Sequence, residues 1–499
     1  MASSKKMIGT IGLVSSAVLI ACAGSAIAQT ACRSSPGPDV IVGDITGPQN
    51  YAVDILKGFD SFSLGTTSCN QGLVNLNWYT SSNTTNPALF NDHPVIGGGI
   101  FKMKNGRFEQ LGFSWLKHGF FALSQTLCCS PCNSTNGATL GVGCSDPYTA
   151  SRNGTQGNLG PRWQVNPSTG DFPYPPANPA FSGSAARRVQ IALTALEPSS
   201  ATVRYFSEAQ YVSPDDALAN NKNNNSSYRQ LSMADSGGAT NRFNAAFISS
   251  TAREKPAIQA WKDFDATVQL VSVDVPTAGT VVDGRFWVGS KVTDLGDGTW
   301  QYEYAIHNLN SDRAGGSFSV PLSPGILVTD IGFKDVHYFD NDGVPINPAQ
   351  PNSAASARNF DGADWTNSVS NGAVTWTVTQ SFATNSNANA LRWGTLYNFR
   401  FKANVGPAAN RGTATLGLFK PVANGVLAVS VDTTDVPGTI PCPACAADFD
   451  LDGGVNGGDI AAFFTDYEAG GICADLDNDG GITGADVSVF FTSFEAGGC

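Results

Sequence analysis

Between residues 281 and 438 the chain alternates apolar and polar side chains with a period of two. Trp300, Tyr302, Tyr304 and Ile306 alternate with Gln301, Glu303, Ala305 and His307 after an Asp297-Gly298 turn. Val374, Trp376 and Val378 follow Asn371-Gly372, and Tyr397, Phe399, Phe401 and Ala403 alternate with Asn398, Arg400 and Lys402. Successive side chains of a strand point to opposite faces, and Asp-Gly or Asn-Gly between such runs is a hairpin signal. Short strands at this spacing predict a β-sandwich. Residues 29–245 read as a second β-rich domain. Phe101 to Phe113 predicts a hairpin turning at Asn105-Gly106, Arg187–Leu196 and Thr202–Val212 predict strands, and Asn220–Asn225 is a polar loop. Residues 246–280 read as a connecting segment.

After residue 440 the period changes. Ile460, Phe463, Phe464 and Tyr467 stand at i, i+3, i+4 and i+7, and Val487, Phe490, Phe491 and Phe494 repeat the pattern. That spacing gives one apolar helical stripe per copy, with Gly470-Gly471 and Gly497-Gly498 as stops. The fold class expected is therefore mainly β, with a small α-helical C-terminal module at 440–499. The copies are offset by 27 residues, counted from Asp448 to Asp475. Such self-similarity marks a duplicated supersecondary unit.

Charge changes the picture most in this module. The whole chain carries 29 basic and 41 acidic residues, yet from Cys442 to Cys499 it holds eleven acids and no lysine or arginine. Nucleic acid is the wrong sign of partner; a divalent cation is the natural counter-charge. Oxygen donors fall at positions 1, 3, 5, 7, 9 and 12 of each loop, with glycine at 6 for the turn, which is the spacing a calcium loop uses. The first set is Asp448, Asp450, Asp452, the Gly454 carbonyl, Asn456 and Asp459; the second is Asp475, Asp477, Asp479, the Gly481 carbonyl, Thr483 and Asp486. Two Ca2+ ions are expected. Four gathered carboxylates repel one another without an ion, so binding should supply much of the folding energy. Val455 and Ile482, at position 8, are expected to pair the two loops through a short β contact.

These residues carry a resemblance. Asp448–Asp459 followed by Ile460, and Asp475–Asp486 followed by Val487, resemble the loop–helix units of dockerin domains. The Cys442-Pro443-Ala444-Cys445-Ala446-Ala447-Asp448 opening and the Phe494-Glu495-Ala496-Gly497-Gly498-Cys499 ending are similar to the cysteine-stapled dockerin-like tails of secreted planctomycete-type bacterial proteins. The resemblance covers residues 440–499 and implies calcium binding and an anchoring role toward a cohesin-like or other surface protein. Positions 10 and 11, which help cellulosomal dockerins recognise cohesin, are Gly457-Gly458 and Gly484-Ala485 here. Self-docking or another surface component is an equal expectation.

The N-terminus reads as an export signal over residues 1–28: Lys5 and Lys6, an apolar Met7–Ala23 core, and Ala26-Ile27-Ala28 before a cut. Leu19-Ile20-Ala21-Cys22 offers the alternative of a lipoprotein anchored at Cys22. Without Cys22 ten of the eleven cysteines remain. An even number in an exported chain predicts disulfides, and this reading is preferred over redox or zinc sites at Cys129–Cys132 and Cys442–Cys445. No later apolar run reaches transmembrane length.

Catalytic signatures are sparse. A glycosidase needs two facing carboxylates, and Glu109 and the Asp215-Asp216 pair lead among Glu197, Glu208, Glu254 and Glu303. His93, His118, His307 and His337 form no HExxH pattern, and no Gly-x-Ser-x-Gly elbow, P-loop or Rossmann fingerprint occurs. His93 and His118 could join cysteines at a metal. Asp340-Asn341-Asp342-Gly343 copies part of a calcium loop and reads as a turn. The sequence thus points to an exported, calcium-binding surface or extracellular protein, held through its tail, whose body binds a polysaccharide or another chain. The alternative is a polysaccharide-active secreted enzyme with an appended dockerin.

Overall fold

The structure, a computed structural model, describes residues 34–238, 242–277, 282–421, 425–439 and 442–497. The export signal, Cys22, Cys32 and Cys499 lie outside the described residues. The chain is mainly β, with antiparallel sheets in the body and a small helical tail.

The body forms four principal layers. Val40–Asn50, Phe59–Asn70 and Val189–Ala192 run side by side, with Ser145–Tyr148 also paired to the middle strand. Opposite lies a seven-stranded sheet whose centre is Ser226–Asp235, Val203–Val212 and Val95–Lys104. Arg107–Phe113 closes the expected hairpin onto Val95–Lys104, and Asn105 at the turn adopts positive φ. Leu64, Ile96, Ala209 and Tyr211 fill one part of the space between these sheets; Phe62, Ile100, Val189 and Tyr205 fill another.

The second pair of sheets is the sandwich that the alternation predicts. Gln269–Pro276, Val282–Asp294, Trp300–Asn308, Thr395–Ala403 and Val328–Lys334 make one sheet; Thr366–Ser370, Ala373–Thr377, Gly315–Pro321, Gly412–Leu418 and Ala428–Thr434 make the other. Tyr302, Tyr304, Phe318, Trp376, Phe399 and Phe401 form its aromatic core.

The polar positions of Trp300–Asn308 are nevertheless buried. Glu303, Ala305 and His307 face the first unit rather than solvent, because Phe101, Phe108 and Phe206 pack with Ala305 and Leu396 in one cluster. Polar bonds finish the seam: Asn398 Nδ2 donates to the Phe108 carbonyl at 2.8 Å, and Gln210 Nε2 to the Leu309 carbonyl at 2.9 Å. Arg107 donates twice to Glu303, from Nε at 2.9 Å and Nη2 at 2.6 Å. Residues 246–280, expected as a connector, contribute to this join. Helix Ile258–Phe264 wedges the fully buried Trp261 into the seam, and Gln269–Pro276 is an edge strand of the sandwich.

The exit from the body is firmly pinned. Asp435 follows the edge strand Ala428–Thr434. Its carboxylate accepts from Ser290 Oγ at 2.9 Å and Arg411 Nε at 3.2 Å, and its carbonyl accepts from Tyr304 Oη at 2.7 Å. Beyond it the Ala408 and Gly438 amides donate to Val436 and Gly406 carbonyls, both at 2.9 Å.

In the tail, helices Gly457–Ala469 and Gly484–Glu495 stack Phe463 on Phe490 with centroids 4.2 Å apart. The first helix stops at Gly470 in the left-handed conformation, where glycine carries no Cβ penalty. Of the eight stripe residues only Phe463 and Phe490 are fully buried; Ile460, Phe464, Tyr467, Val487, Phe491 and Phe494 remain part-exposed around them. Cys442–Cys473 staples the module, and Cys69–Cys128 and Cys132–Cys144 bridge the body. Cys129 and Cys445 are also disulfide-bonded. Both bridges described at the CxxC pairs, Cys132–Cys144 and Cys442–Cys473, run to a cysteine outside the motif.

Candidate metal centres and body cavities

Each tail loop is built by its own carboxylates. In the first, Asp450 Oδ1 accepts the Asp452 amide at 3.1 Å, Asp448 Oδ1 the Gly453 amide at 3.3 Å, and Asp452 Oδ1 the Gly454 amide at 2.7 Å. The second loop repeats this at Asp477, Asp475 and Asp479, with distances of 3.1, 3.1 and 2.8 Å. Leu451 and Asn478 both adopt positive φ, as do Gly453 and Gly480. The periodicity seen in sequence is therefore a repeated backbone path, one that turns alternate oxygens toward the loop centre.

Positions 9 and 12 do two jobs. Asn456 and Thr483 are helix N-caps, and Asp459 and Asp486 complete the reciprocal capping box. Asp459 accepts from the Asp450 amide at 3.1 Å and the Asn456 amide at 2.8 Å; Asp486 accepts from Leu476, Asp477 and Thr483 amides at 2.8, 3.2 and 2.7 Å. The short aspartate arm at position 12 thereby ties the loop's start to the helix. These amide bonds, those of Asn456 and Thr483 first, hold both carboxyls below the usual range.

The remaining acids feel each other. Ligand oxygens of Asp448, Asp450 and Asp452 lie within 4.8 Å of one another, as do those of Asp475, Asp477 and Asp486. Burial, then the Asp452 and Asp459 carboxylates, push Asp450 up. At Asp477 the Asp479 amide pulls downward, but burial and the carboxylates of Asp479, Asp486 and Asp475 outweigh it. Asp475 Oδ1 is buried with no hydrogen-bond partner. Clustered, mutually repelling oxygens and an orphaned one among them fit a hard cation. Asp459 stands outside the first cluster and Asp479 outside the second. Among the described residues no β bridge joins Val455 to Ile482, so the expected contact between loops is absent; Ile482 packs on the aromatic core instead.

The body's candidate acids are structurally engaged. Glu109 pairs with Lys334 at 3.1 Å and Arg107 at 3.6 Å, Glu197 with Lys104 at 2.6 Å, and Glu254 accepts from Gln71 Nε2 at 2.9 Å. Asp216 is fully buried and accepts from the Val40 amide and Asn225 Nδ2. Asp215 parts from it and lines an open groove of about 960 Å³ with Asp92 and Asp171. Burial and then the Asp215 charge push Asp92 up to about 6.

His93 Nε2 meets His118 Nδ1 at 3.1 Å while His93 Nδ1 meets the Tyr79 carbonyl at 2.8 Å, and Cys69, Cys128, Cys132 and Cys144 are joined to one another in bridges. Burial pushes His93 down to about 4, so the pair is a neutral hydrogen-bonded unit. His307 lies 3.6 Å from Glu208. Burial drives the acid up to about 7 and the imidazole down to about 3, leaving both neutral in mild acid. His337 lies tilted against Phe59, ring centroids 5.1 Å apart.

Sequence reasoning missed one constellation. Arg162, Asp342 and Arg392 converge with Phe113, Phe360 and Trp393 on a cavity of about 350 Å³ between the two units. Asp342 belongs to the stretch read as a turn, and it is a turn, with Asn341 at positive φ. Nothing in spacing could have joined three residues so far apart in the chain.

No known protein family and no curated protein matches the sequence. Among solved structures, the N-terminal domain of the Streptococcus gordonii adhesin Sgo0707 aligns at 8% identity with a TM-score of 0.16, over 76% of this chain and 62% of that one. The chain thus spans under two thirds of that domain, at a similarity too low to define a shared fold.

Proposed function

We propose that this is an exported surface or extracellular protein whose dockerin-like tail binds two calcium ions and tethers it, while the body serves as a binding module. The observation that carries the reading is the duplicated loop, with three carboxylate oxygens per copy drawn together; the helix start is clamped by Asp459, beside the first cluster, and by Asp486, within the second. All donors are oxygens, which suits calcium rather than zinc or copper. Bound calcium would cancel the repulsion at Asp450 and Asp477 and engage the orphaned Asp475 oxygen. The disulfides agree with an oxidising compartment. No helix among the described residues is long and apolar enough to cross a membrane; tethering is assigned to the tail, with a lipid at Cys22 as the alternative. Its partner is an unidentified surface or cohesin-like protein; with only Gly457-Gly458 and Gly484-Ala485 at the cohesin-contact positions, self-docking or another surface component is an equal candidate. Calorimetry on the full chain tests this: two calcium ions should bind, and Asp448→Ala with Asp475→Ala should remove both. Unchanged stoichiometry in the double variant refutes the assignment.

A second reading, a polysaccharide-active enzyme, draws on the Asp92–Asp215 groove, where one acid is held toward protonation beside another. Sugar release from a glycan panel, lost in Asp92→Asn, would establish it; no release sinks it.

A further inference from the structure

The cavity between the two units gathers two arginines, Arg162 and Arg392, about one buried carboxyl, Asp342. Arg162 is 7% exposed, and its Nε donates to the Ser114 carbonyl at 2.8 Å. Its guanidinium lies over Trp393 at 4.8 Å and Phe113 at 5.2 Å. Arg392 lies over Phe360 at 3.7 Å and donates through Nη2 to the Ser386 and Ala388 carbonyls. After these bonds Arg162 Nη1 and Arg392 Nε are buried and have no hydrogen-bond partner, and neither do Asp342 Oδ1 and Trp163 Nε1. All four belong to residues lining the one cavity. Buried polar atoms are nearly always satisfied in native proteins, by protein, water or ligand, so these four leave hydrogen-bonding capacity beside one cavity. At the rim, Lys420 and Asp312 satisfy each other at 2.7 Å.

We propose that this cavity binds a single sugar ring bearing a carboxylate, that is, a uronic acid, free or at the end of a polysaccharide. Two guanidinium groups with spare N–H donors demand an anion, and guanidinium geometry suits a carboxylate. The acid that could neutralise them, Asp342, is pushed up to about 8 by burial, so at neutral pH it serves as a hydroxyl partner. The Trp163 indole N–H supplies a donor to a second hydroxyl. Aromatic faces at Phe113, Phe360 and Trp393 take the apolar face of the ring. The volume, about 350 Å³, is at the small end of ligand pockets, suiting one ring. Half-buried Trp163 and Val344 leave the space reachable from solvent.

The inference rests on the body being a binding module and is independent of the tail. The test is titration of the full chain with D-galacturonic acid and trigalacturonate, read by calorimetry and by indole fluorescence, with D-galactose and cyclohexanecarboxylate as controls. At least one uronate should bind at about millimolar or tighter, and each control about tenfold more weakly. Arg392→Gln should cost about tenfold or more. Val344→Phe, which fills the mouth and alters no charge, should abolish binding while circular dichroism stays unchanged. Four results overturn the proposal: no uronate binding at about 10 mM, galactose binding as well as uronate, cyclohexanecarboxylate binding as well as uronate, or Val344→Phe binding normally. Retention on polysaccharide beads that survives Val344→Phe would overturn this site and leave the body's binding role standing. Calcium titration of the same sample reads the tail separately.

Discussion

Phe463→Ala is the sharpest probe of how the tail is held together. Phe463 is fully buried and touches Phe449, Phe464, Tyr467 and Phe490, the last stacked at 4.2 Å and only 7° from parallel. Truncating a buried phenylalanine costs about 3–5 kcal/mol, part of it an aromatic pair contribution of about 0.5–1.5 kcal/mol. Among the described residues the module's core cluster holds five buried side chains, two of them Cys473 and Ala474. A core that small rarely supplies more than about 3–5 kcal/mol, so the substitution removes stability comparable to the whole. Calcium restores about 2.7 kcal/mol per site at a hundredfold excess over Kd. Hydrogen exchange read by mass spectrometry on the full chain separates tail from body. In chelator the variant's tail amides should exchange as an open chain; with saturating calcium they should recover protection, and body peptides should not change in either case. Tail protection in chelator within about tenfold of the parent's, equivalent to about 1.4 kcal/mol, would refute this account.

Other perturbations test the remaining joints. Cys473→Ser opens a 31-residue span and should cost the tail about 3 kcal/mol, seen as a lower calcium-free melting transition. Arg107→Ala strands Glu303, whose side chain is 8% exposed, in the seam between sheets; a loss of about 3 kcal/mol should appear as a lower denaturant midpoint for the whole body. Glu208 is pushed up from 4.5 to about 7, chiefly by burial. A raised folded value stabilises fully below about pH 4.5 and is lost as pH rises through 7. Glu208→Gln should therefore narrow its deficit against the parent in melting temperature between pH 4.5 and 8. His307 lies against Glu208 but titrates near 3, below this window, so a constant gap would refute the burial argument.

Local patterns were legible and long-range ones were not. Asn105-Gly106, Asp297-Gly298 and Asn371-Gly372 each sit at a hairpin, because turn chemistry is local. The tail's loop–helix units were readable because the repeat spacing and helix capping coincide at the same residues, Asn456 and Asp459 in one copy and Thr483 and Asp486 in the other. Alternation in Trp300–Asn308 identified a strand but could not reveal that its polar face is also covered. Glu303 and His307 look like solvent-facing residues until Arg107 and Glu208, about a hundred or more positions earlier, are brought against them. The same limit hid Arg162, Asp342 and Arg392. The connector reading at 246–280 missed Trp261, whose seven-residue helix is too short to show a periodic stripe.

The pinned exit at Asp435 has a mechanical meaning. Were the tail to tether the chain as proposed, tension on the body would be felt first where the tail leaves the sandwich. The last strand there, Ala428–Thr434, is an edge strand, and an edge strand pulled from its end opens like a zipper, one bond at a time. Tension reaching it must first break the Gly438 and Ala408 amide bonds and then the group at Asp435, which ties the exit to three separate strands or loops through Ser290, Tyr304 and Arg411. Those bonds share the load in parallel, so the weakest direction of the sandwich lies behind its strongest fastening.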